Sequence, residues 1–429
     1  MATGLADPCS RCGRTLLELR AVVGKEALRG SAPLCSIPAC PLVGRVAGLA
    51  SAMPPGARDL QGPSPPAVFV GRHGYPNVAV GPLLPPSPEL DPRLSATPRD
   101  WLDLDIAATL AMRARLVRSK SVVAVDAPRD ASRALDVARE LAMSESPVDT
   151  EVTLAKPRAL DLSPRVDGIA TPMGPSVDVV RARLTASPKV PRRVDAAVGD
   201  VHATASDVAW EMYDAGVSPY HISRVLSVGL LGEAARRRLV PTRWSITATD
   251  DLLGKELIES VKTMETIGGI EYRAASLHGN HFHVILLPRA WSYEMIEAWA
   301  TGRGFDTAVD REGHSGRTAY ASNITGAYYA ARLSILEHLR DRARQAAGFV
   351  YREITEDYWA PLGVWVIREG VRLAMESKPL AFGEVPAAVA HVLRRSRCRD
   401  WPREAKLLQE TATQRTLRDF LDASGARRS

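Results

Sequence analysis

At 429 residues, 45% of them hydrophobic and 24% charged, the chain is too long for one small domain and too apolar to be disordered. No apolar run approaches the roughly 18 residues of a membrane-crossing helix, and the opening residues lack the charged, apolar and small-residue blocks of a secretion signal. The net charge of +6 and the pI near 9.1 are carried mostly by arginine, which grips phosphate oxygens and stacks on bases, so DNA is an expected partner and a membrane is not.

The chain opens on a cysteine cluster. Cys9 and Cys12 form a C-x-x-C knuckle, and Cys35 and Cys40 return as C-x-x-x-x-C before Pro41. Each short loop aims two sulfurs at one ion, so the spacing predicts a structural zinc site in a small module over residues 1–50, where metal replaces a core that so short a segment cannot build. Two pairs of free thiols are the alternative. Cys398 is left over, and a cytoplasmic, chromosome-associated location keeps such thiols reduced or metal-bound. Residues 51–66, rich in Pro, Gly and Ser, read as a linker.

A main α/β domain is expected over residues 67–305. It opens on AVFVGRHGYPNVAVGPLLPP, in which Val68, Val70, Val78 and Val80 alternate at period two around a turn of Gly71, Gly74, Pro76 and Asn77. That pattern predicts a hairpin whose loop presents Arg72 and His73, either to a phosphate or simply to water. Thr97-Pro98 starts a predicted helix running from Arg99 to about Arg118, with Arg115 and Arg118 on one face near its end. Cations there serve phosphate binding or merely the helix dipole. Val122–Val125 is expected as a strand, 129–144 as a helix and 151–155 as a strand, with 156–200 irregular.

Helices are expected from Thr204 to a stop at Gly216 and from Pro219 to Val228. A basic run, Arg236 to Arg238, leads into Val240–Ala248, which reads as a strand containing Arg243. Asp250 and Asp251 then fall at the start of a helix over 252–266, as caps or as metal or acid/base groups. Strands at 270–277 and 281–287 flank a turn at Gly279-Asn280. His281 and His283 share one strand face, an arrangement suited either to a second divalent metal or to hydrogen bonding at a sheet edge.

Residues 306–400 are expected to form an α+β module: a helix over 327–346, strands at 349–354 and 363–368, and helices over 371–376 and 384–393. The tail, 401–429, carries Gln414, Leu417, Phe420 and Leu421 as Q-x-x-L-x-x-F-L on a polar, basic segment. One helical turn would place the anchors on one side to fill a pocket, the pattern of a peptide that docks on the PCNA sliding clamp. An amphipathic docking helix has similar spacing. The fold class is therefore α+β or mixed α/β, multi-domain, with a small zinc module and a flexible tail.

Five features together resemble the archaeal Nre DNA-repair protein family: FVGRHGYPNVAVGPLLPP, LVPTRWSITATDD from Leu239, PLGVWVIREGVR from Pro361, the cysteine cluster ending in CPL, and the Q-x-x-L-x-x-F tail. The resemblance implies a repair factor that works with PCNA through its tail and carries a zinc-binding N-terminus. It implies no catalytic mechanism. Two readings follow: a clamp-tethered factor that binds DNA without chemistry of its own, and a metal-dependent phosphodiesterase or nuclease for damaged ends. The second would draw on Arg72, His73, His281, His283, Asp250 and Asp251 in a shared cleft between the Gly71–Gly74 loop and the 281–287 strand.

Overall fold

The computed structural model describes residues 32–33, 58–84, 92–94, 97–126, 133–155, 165–166, 168–174, 176–301 and 303–413. Cys9, Cys12, Cys35 and Cys40, and tail residues Gln414, Leu417, Phe420 and Leu421, lie outside them. The architecture is mixed α+β, with ten α-helices and two six-stranded mixed sheets among the described residues. No described helix is long and apolar enough to cross a membrane. The chain divides into two compact units. The first takes the described residues up to Leu257 together with Glu356–Glu369; the second takes Ile258–Thr355 and those from Gly370 on.

In the first unit, β1 (Asp59–Ser64), β2 (Val68–Val70), β3 (Asn77–Leu84), β4 (Val117–Ala124), β5 (Val148–Leu154) and β6 (Ser176–Leu184) form a sheet ordered β1-β5-β6-β4-β3-β2. All pairs are antiparallel except β4 with β6. Leu60, Leu84, Val117, Val152, Leu154 and Val177 build one buried cluster on it. The expected hairpin is β2–β3, with Val70 opposite Val80 and Gly71 N–H donating to Ala79 O at 2.7 Å. Gly74, at φ +84°, makes its turn, where a Cβ would also press on Asn77 O. Helices α1 (Ile106–Ala114), α2 (Arg133–Met143), α3 (Arg192–Gly199), α4 (Ala205–Asp214) and α5 (Pro219–Ser227) complete the local elements.

Several expectations give way here. The helix over Arg99–Arg118 is three pieces: a 3-10 turn at Pro98–Trp101, α1 capped by Asp105, whose carboxylate accepts Ala108 N–H at 2.7 Å, and then β4. Arg118 therefore lies in a strand. Residues 156–200 are not uniformly irregular, since β6 and α3 lie among them. The largest change is at Val240–Ala248, which is no strand: one helix, α6, runs from Thr242 to Lys262. Its inward stripe is Ser245, Thr249, Leu253, Leu257 and Val261, all buried at a spacing of four. The first two are hydroxyls, so an apolar periodicity begins only at Leu253. Asp250 and Asp251 consequently sit inside a helix and not at its N-terminus.

In the second unit, β7 (Ile270–Leu277), β8 (Asn280–Leu287), β9 (Tyr293–Thr301), β10 (Gly304–Glu312), β11 (Ala347–Ile354) and β12 (Leu380–Phe382) form a sheet ordered β10-β9-β11-β8-β7-β12. Only β9 and β11 pair in parallel. The expected hairpin is β7–β8, with His278 and Gly279 both at positive φ. Helices α7 (Gly326–Asp341), α9 (Val385–Leu393) and α10 (Lys406–Thr413) belong to this unit, and Phe349, Tyr351, Ile285, Val392 and Trp401 share its core. Residues 363–368 are not a strand but lead into α8 (Trp365–Glu376), which runs across the division between units. Gly363, at φ +98°, passes close to Ala170 O, which a Cβ would approach to 2.7 Å. At Gly370 any Cβ would overlap the Phe282 ring.

Candidate functional site

Three of the runs singled out in the sequence meet around one cavity of ≈ 330 Å³ in the first unit. The β2–β3 hairpin supplies Val68 and Leu83, the start of α6 supplies Thr242, Ser245 and Ile246, and the start of α8 supplies Val364, Trp365 and Arg368. A main-chain bond ties two of them together, Val70 N–H donating to Thr242 Oγ1 at 2.9 Å. Ser223 of α5 reaches Ser245 across 3.2 Å, hydroxyl to hydroxyl. Trp101 and Trp365, both buried, meet edge to face with centroids 5.7 Å apart. The volume falls within the about 300–1,000 Å³ common for small-molecule sites.

The cations of this cavity differ in how they are answered. Arg368 gives one terminal nitrogen to both oxygens of Asp250, at 2.5 and 2.6 Å, and lies over the Tyr220 ring. Arg113 instead bonds Pro172 O at 3.0 Å and Thr171 Oγ1 at 3.2 Å while its guanidinium covers Trp101. Arg224 bonds the carbonyls of Ala142 and Ser144 at 2.9 and 2.8 Å. Among the described residues no carboxylate pairs with either. Burial pushes Arg113 down to about 10 and Arg224 down to about 9, which leaves both charged at neutral pH. His221, beside Met143 O, is held down to about 3 by burial and then by Arg224, and is neutral there. Two desolvated cations met only by neutral oxygens favour an anionic ligand.

The same two runs also make an exposed aromatic pair. Tyr75 of the hairpin loop is 52% exposed and Trp244 of α6 45% exposed, with ring centroids 5.7 Å apart. Arg72 and Arg243 are half-buried neighbours of these rings in the chain, and His73 is exposed. Arg115 is half-buried at the end of α1. Arg118 is buried, donating to Gly174 O at 3.0 Å beneath the Phe69 ring.

In the second unit, His281 and His283 share a face of β8 and line a pocket of ≈ 520 Å³ with His391, Arg273, Lys378 and Arg395. His281 Nδ1 lies 2.8 Å from Ser276 Oγ, and His283 Nδ1 lies 2.8 Å from Tyr272 Oη. Asp250 and Asp251 belong to the first unit, where Arg368 and Lys255 engage them, the latter at 2.7 Å. Among the described residues no three His, Cys, Asp or Glu side chains converge on a metal position.

Residues 34–305 match the sequence model described as Archaeal Nre, N-terminal, and residues 312–420 match Archaeal Nre, C-terminal. The chain belongs to the archaeal Nre family. It is 40% identical over 331 residues to the DNA repair protein NreA of Haloferax volcanii, covering 75% of this chain and 79% of that one. Over 396 residues it is 35% identical to the DNA repair protein NreB of Archaeoglobus fulgidus, covering 90% and 97% respectively. The NreA of the same organism is 35% identical over 344 residues, covering 79% and 86%. No solved structure matches the chain.

The two Nre segments meet in β10, inside the second sheet, whereas the compact units divide within α6 and α8. The sequence patterns do not single out Trp101, Trp365, Arg224 or His391 in this Nre protein, nor Arg113, which on the expected Arg99–Arg118 helix falls off the face shared by Arg115 and Arg118, whereas the helix ends at Ala114. The available signal was local. Asp105 three residues before Ala108 marks a second helix start, which separates Arg113 from Arg118.

Proposed function

We propose that this Nre protein is a DNA-repair factor that binds DNA through backbone phosphates and is tethered to the PCNA sliding clamp by Gln414, Leu417, Phe420 and Leu421. The observation that carries the repair role is the likeness to three proteins named for DNA repair, one covered over 97% of its length. DNA binding is supported by the arginine-rich positive charge and by an exposed Tyr75–Trp244 pair whose chain neighbours are Arg72 and Arg243. Aromatic faces set among cations suit unpaired bases and the phosphates beside them. Arg72, Arg115 and Arg243 are the proposed phosphate contacts; Arg118 has its guanidinium engaged inside the fold. Cys9, Cys12, Cys35 and Cys40 are proposed to hold a structural zinc.

The test is binding to short DNA across a salt series. Affinity should fall steeply with salt, because counterion release weakens as bulk salt rises. Unchanged binding in Arg72→Ala together with Arg243→Ala, or a flat salt dependence, would overturn DNA as the partner.

A further inference from the structure

We propose that the histidine-lined pocket of the second unit binds a phosphate group without a metal ion, holding it between the imidazoles of β8 and the cations of the facing segments. The pocket stands whether or not the chain binds DNA through its first unit. Its lining contains three histidines, two arginines and a lysine, namely His281, His283, His391, Arg273, Arg395 and Lys378, with no aspartate or glutamate among them. Glu271, next to the pocket in the chain, is already taken by Arg342, at 2.8 Å from each of its oxygens, and by Arg273. Arg273, Arg395 and Lys378 are the like charges of this lining, only the first of them answered by a carboxylate, and an oxyanion would give the cations and the imidazole N–H groups one shared partner.

The hydrogen-bond pattern points the same way. His283 is 5% exposed; its Nδ1 faces Tyr272 Oη, and its buried Nε2 has no protein partner. His281 has its Nδ1 taken by Ser276, so in both rings Nε2 is the nitrogen left to serve a ligand. Positions two apart on a strand stand about 6.6 Å from each other, a span that a phosphate and its oxygens bridge. A buried polar atom without a partner is costly, and such atoms in folded proteins mark a missing water, ion or ligand. Arg273 is fixed by the carbonyls of Met375 and Ser377. Arg395 and Lys378 are exposed and make no ion pair among the described residues; Arg395 bonds only His391, 3.3 Å away at Nδ1. Those two are the groups free to close on an entering anion, and a guanidinium fork suits a phosphate edge.

The charge pattern sets a pH dependence. Burial holds His283 down to about 4, helped by His281, Arg395 and His391, and it holds His391 below its ordinary value, helped by Arg395 and Arg394. Tyr272 and Tyr351, the latter stacked on the His283 ring with centroids 5.8 Å apart, are titratable neighbours as well, both raised by burial and neutral in this range. A bound dianion favours imidazolium, so binding takes up protons and tightens as pH falls toward 5.

The experiment is calorimetry on the full chain with sulfate and with inorganic phosphate, sulfate being a dianion throughout so that its pH dependence reports the protein alone. Saturable binding is expected, and the part of it that the pocket variants below remove should rise in affinity from pH 8 to pH 6, with proton uptake seen by comparing buffers. Lys378→Gln, Arg395→Gln and His281→Gln, all at positions that keep the core intact, should each weaken binding about tenfold or more. A 5′-phosphorylated oligonucleotide compared with its 5′-hydroxyl twin identifies the source: a preference lost in Arg395→Gln assigns a nucleic-acid end, and equal binding with sulfate affinity retained assigns free phosphate. Absence of saturable binding of either anion at millimolar concentration, or sulfate affinity unchanged in all three variants, overturns the proposal. Arg72→Ala with Arg243→Ala should leave sulfate binding untouched, which keeps failure of the DNA reading separate from failure here.

Discussion

Asp250 of α6 and Arg368 of α8 form a buried ion pair, 0% exposed on the acid side, in which both carboxylate oxygens lie 2.5 and 2.6 Å from one guanidinium nitrogen. It joins two of the runs that mark the family. Removing one partner leaves a buried charge uncompensated, so Asp250→Ala should lower stability by about 3–5 kcal/mol. The double variant Asp250→Leu, Arg368→Met should recover most of that loss, which urea denaturation of the three variants would show. Equal losses in single and double variants would mean the pair matters for shape and not for charge.

Stability should also fall on mild acidification. His221 in the folded chain is held down to about 3 and His283 to about 4, while a histidine in the unfolded chain takes its proton near about 6.5. Between those values the unfolded chain binds protons that the folded one does not. The stability these neutral rings contribute is therefore present above about pH 6.5 and is lost as pH falls toward the folded values, at up to about 1.4 kcal/mol per pH unit per ring. His221→Gln should flatten the slope between pH 7 and 5 in denaturation curves, and an unchanged slope would count against a neutral buried His221.

Tyr75→Ala and Trp244→Ala should weaken binding of single-stranded DNA by about 1–3 kcal/mol each, with a smaller effect on duplex. Because both rings are about half exposed, thermal stability should hardly move. Fluorescence anisotropy with matched single- and double-stranded probes distinguishes loss of stacking from general loss of charge.

Metal analysis of the purified chain should find one zinc per molecule, falling toward zero in Cys9→Ser with Cys12→Ser. Four thiolates saturate a tetrahedral ion and hold it tightly, so under about half an equivalent in the unaltered chain would reject the site.

A peptide of residues 409–429 should bind the cognate PCNA, and Phe420→Ala should weaken that binding about thirty-fold, the equivalent of about 2 kcal/mol for a buried interface aromatic. Calorimetry measures it directly. No binding of the unaltered peptide at high micromolar concentration would remove the clamp from the proposal.

How much was readable in the sequence follows from where its chemistry is local. The β2–β3 and β7–β8 hairpins were legible because turn residues and alternating apolar positions lie side by side. The helix α6 was not, because its buried face starts with the hydroxyls Ser245 and Thr249, and the first is buried against Ser223 of α5 and the cavity, far away in the chain, and not by its own polarity. The pairing of Asp250 with Arg368 spans 118 residues, and no spacing rule reaches that far. His281 and His283 announced themselves on β8, but His391 joins them from α9, so the pocket was visible only as two-thirds of its imidazoles.

Strand β11 has all eight of its residues buried, and it lies between β9 and β8, strands that precede it in the chain. During synthesis, then, the hairpins β7–β8 and β9–β10 emerge first and wait with open inner edges until residues 347–354 arrive to join them. Unpaired edges are templates for pairing with another chain. A ribosome stalled before Ile354, or a fragment cut there, would release two halves of one sheet with no centre, prone to aggregate. The first unit waits in the same way, since Glu356–Glu369 returns to it only after five of the second sheet's six strands have been made. Each unit is thus completed by a segment from the last third of the chain, which makes translation to near the end a condition for either to be whole.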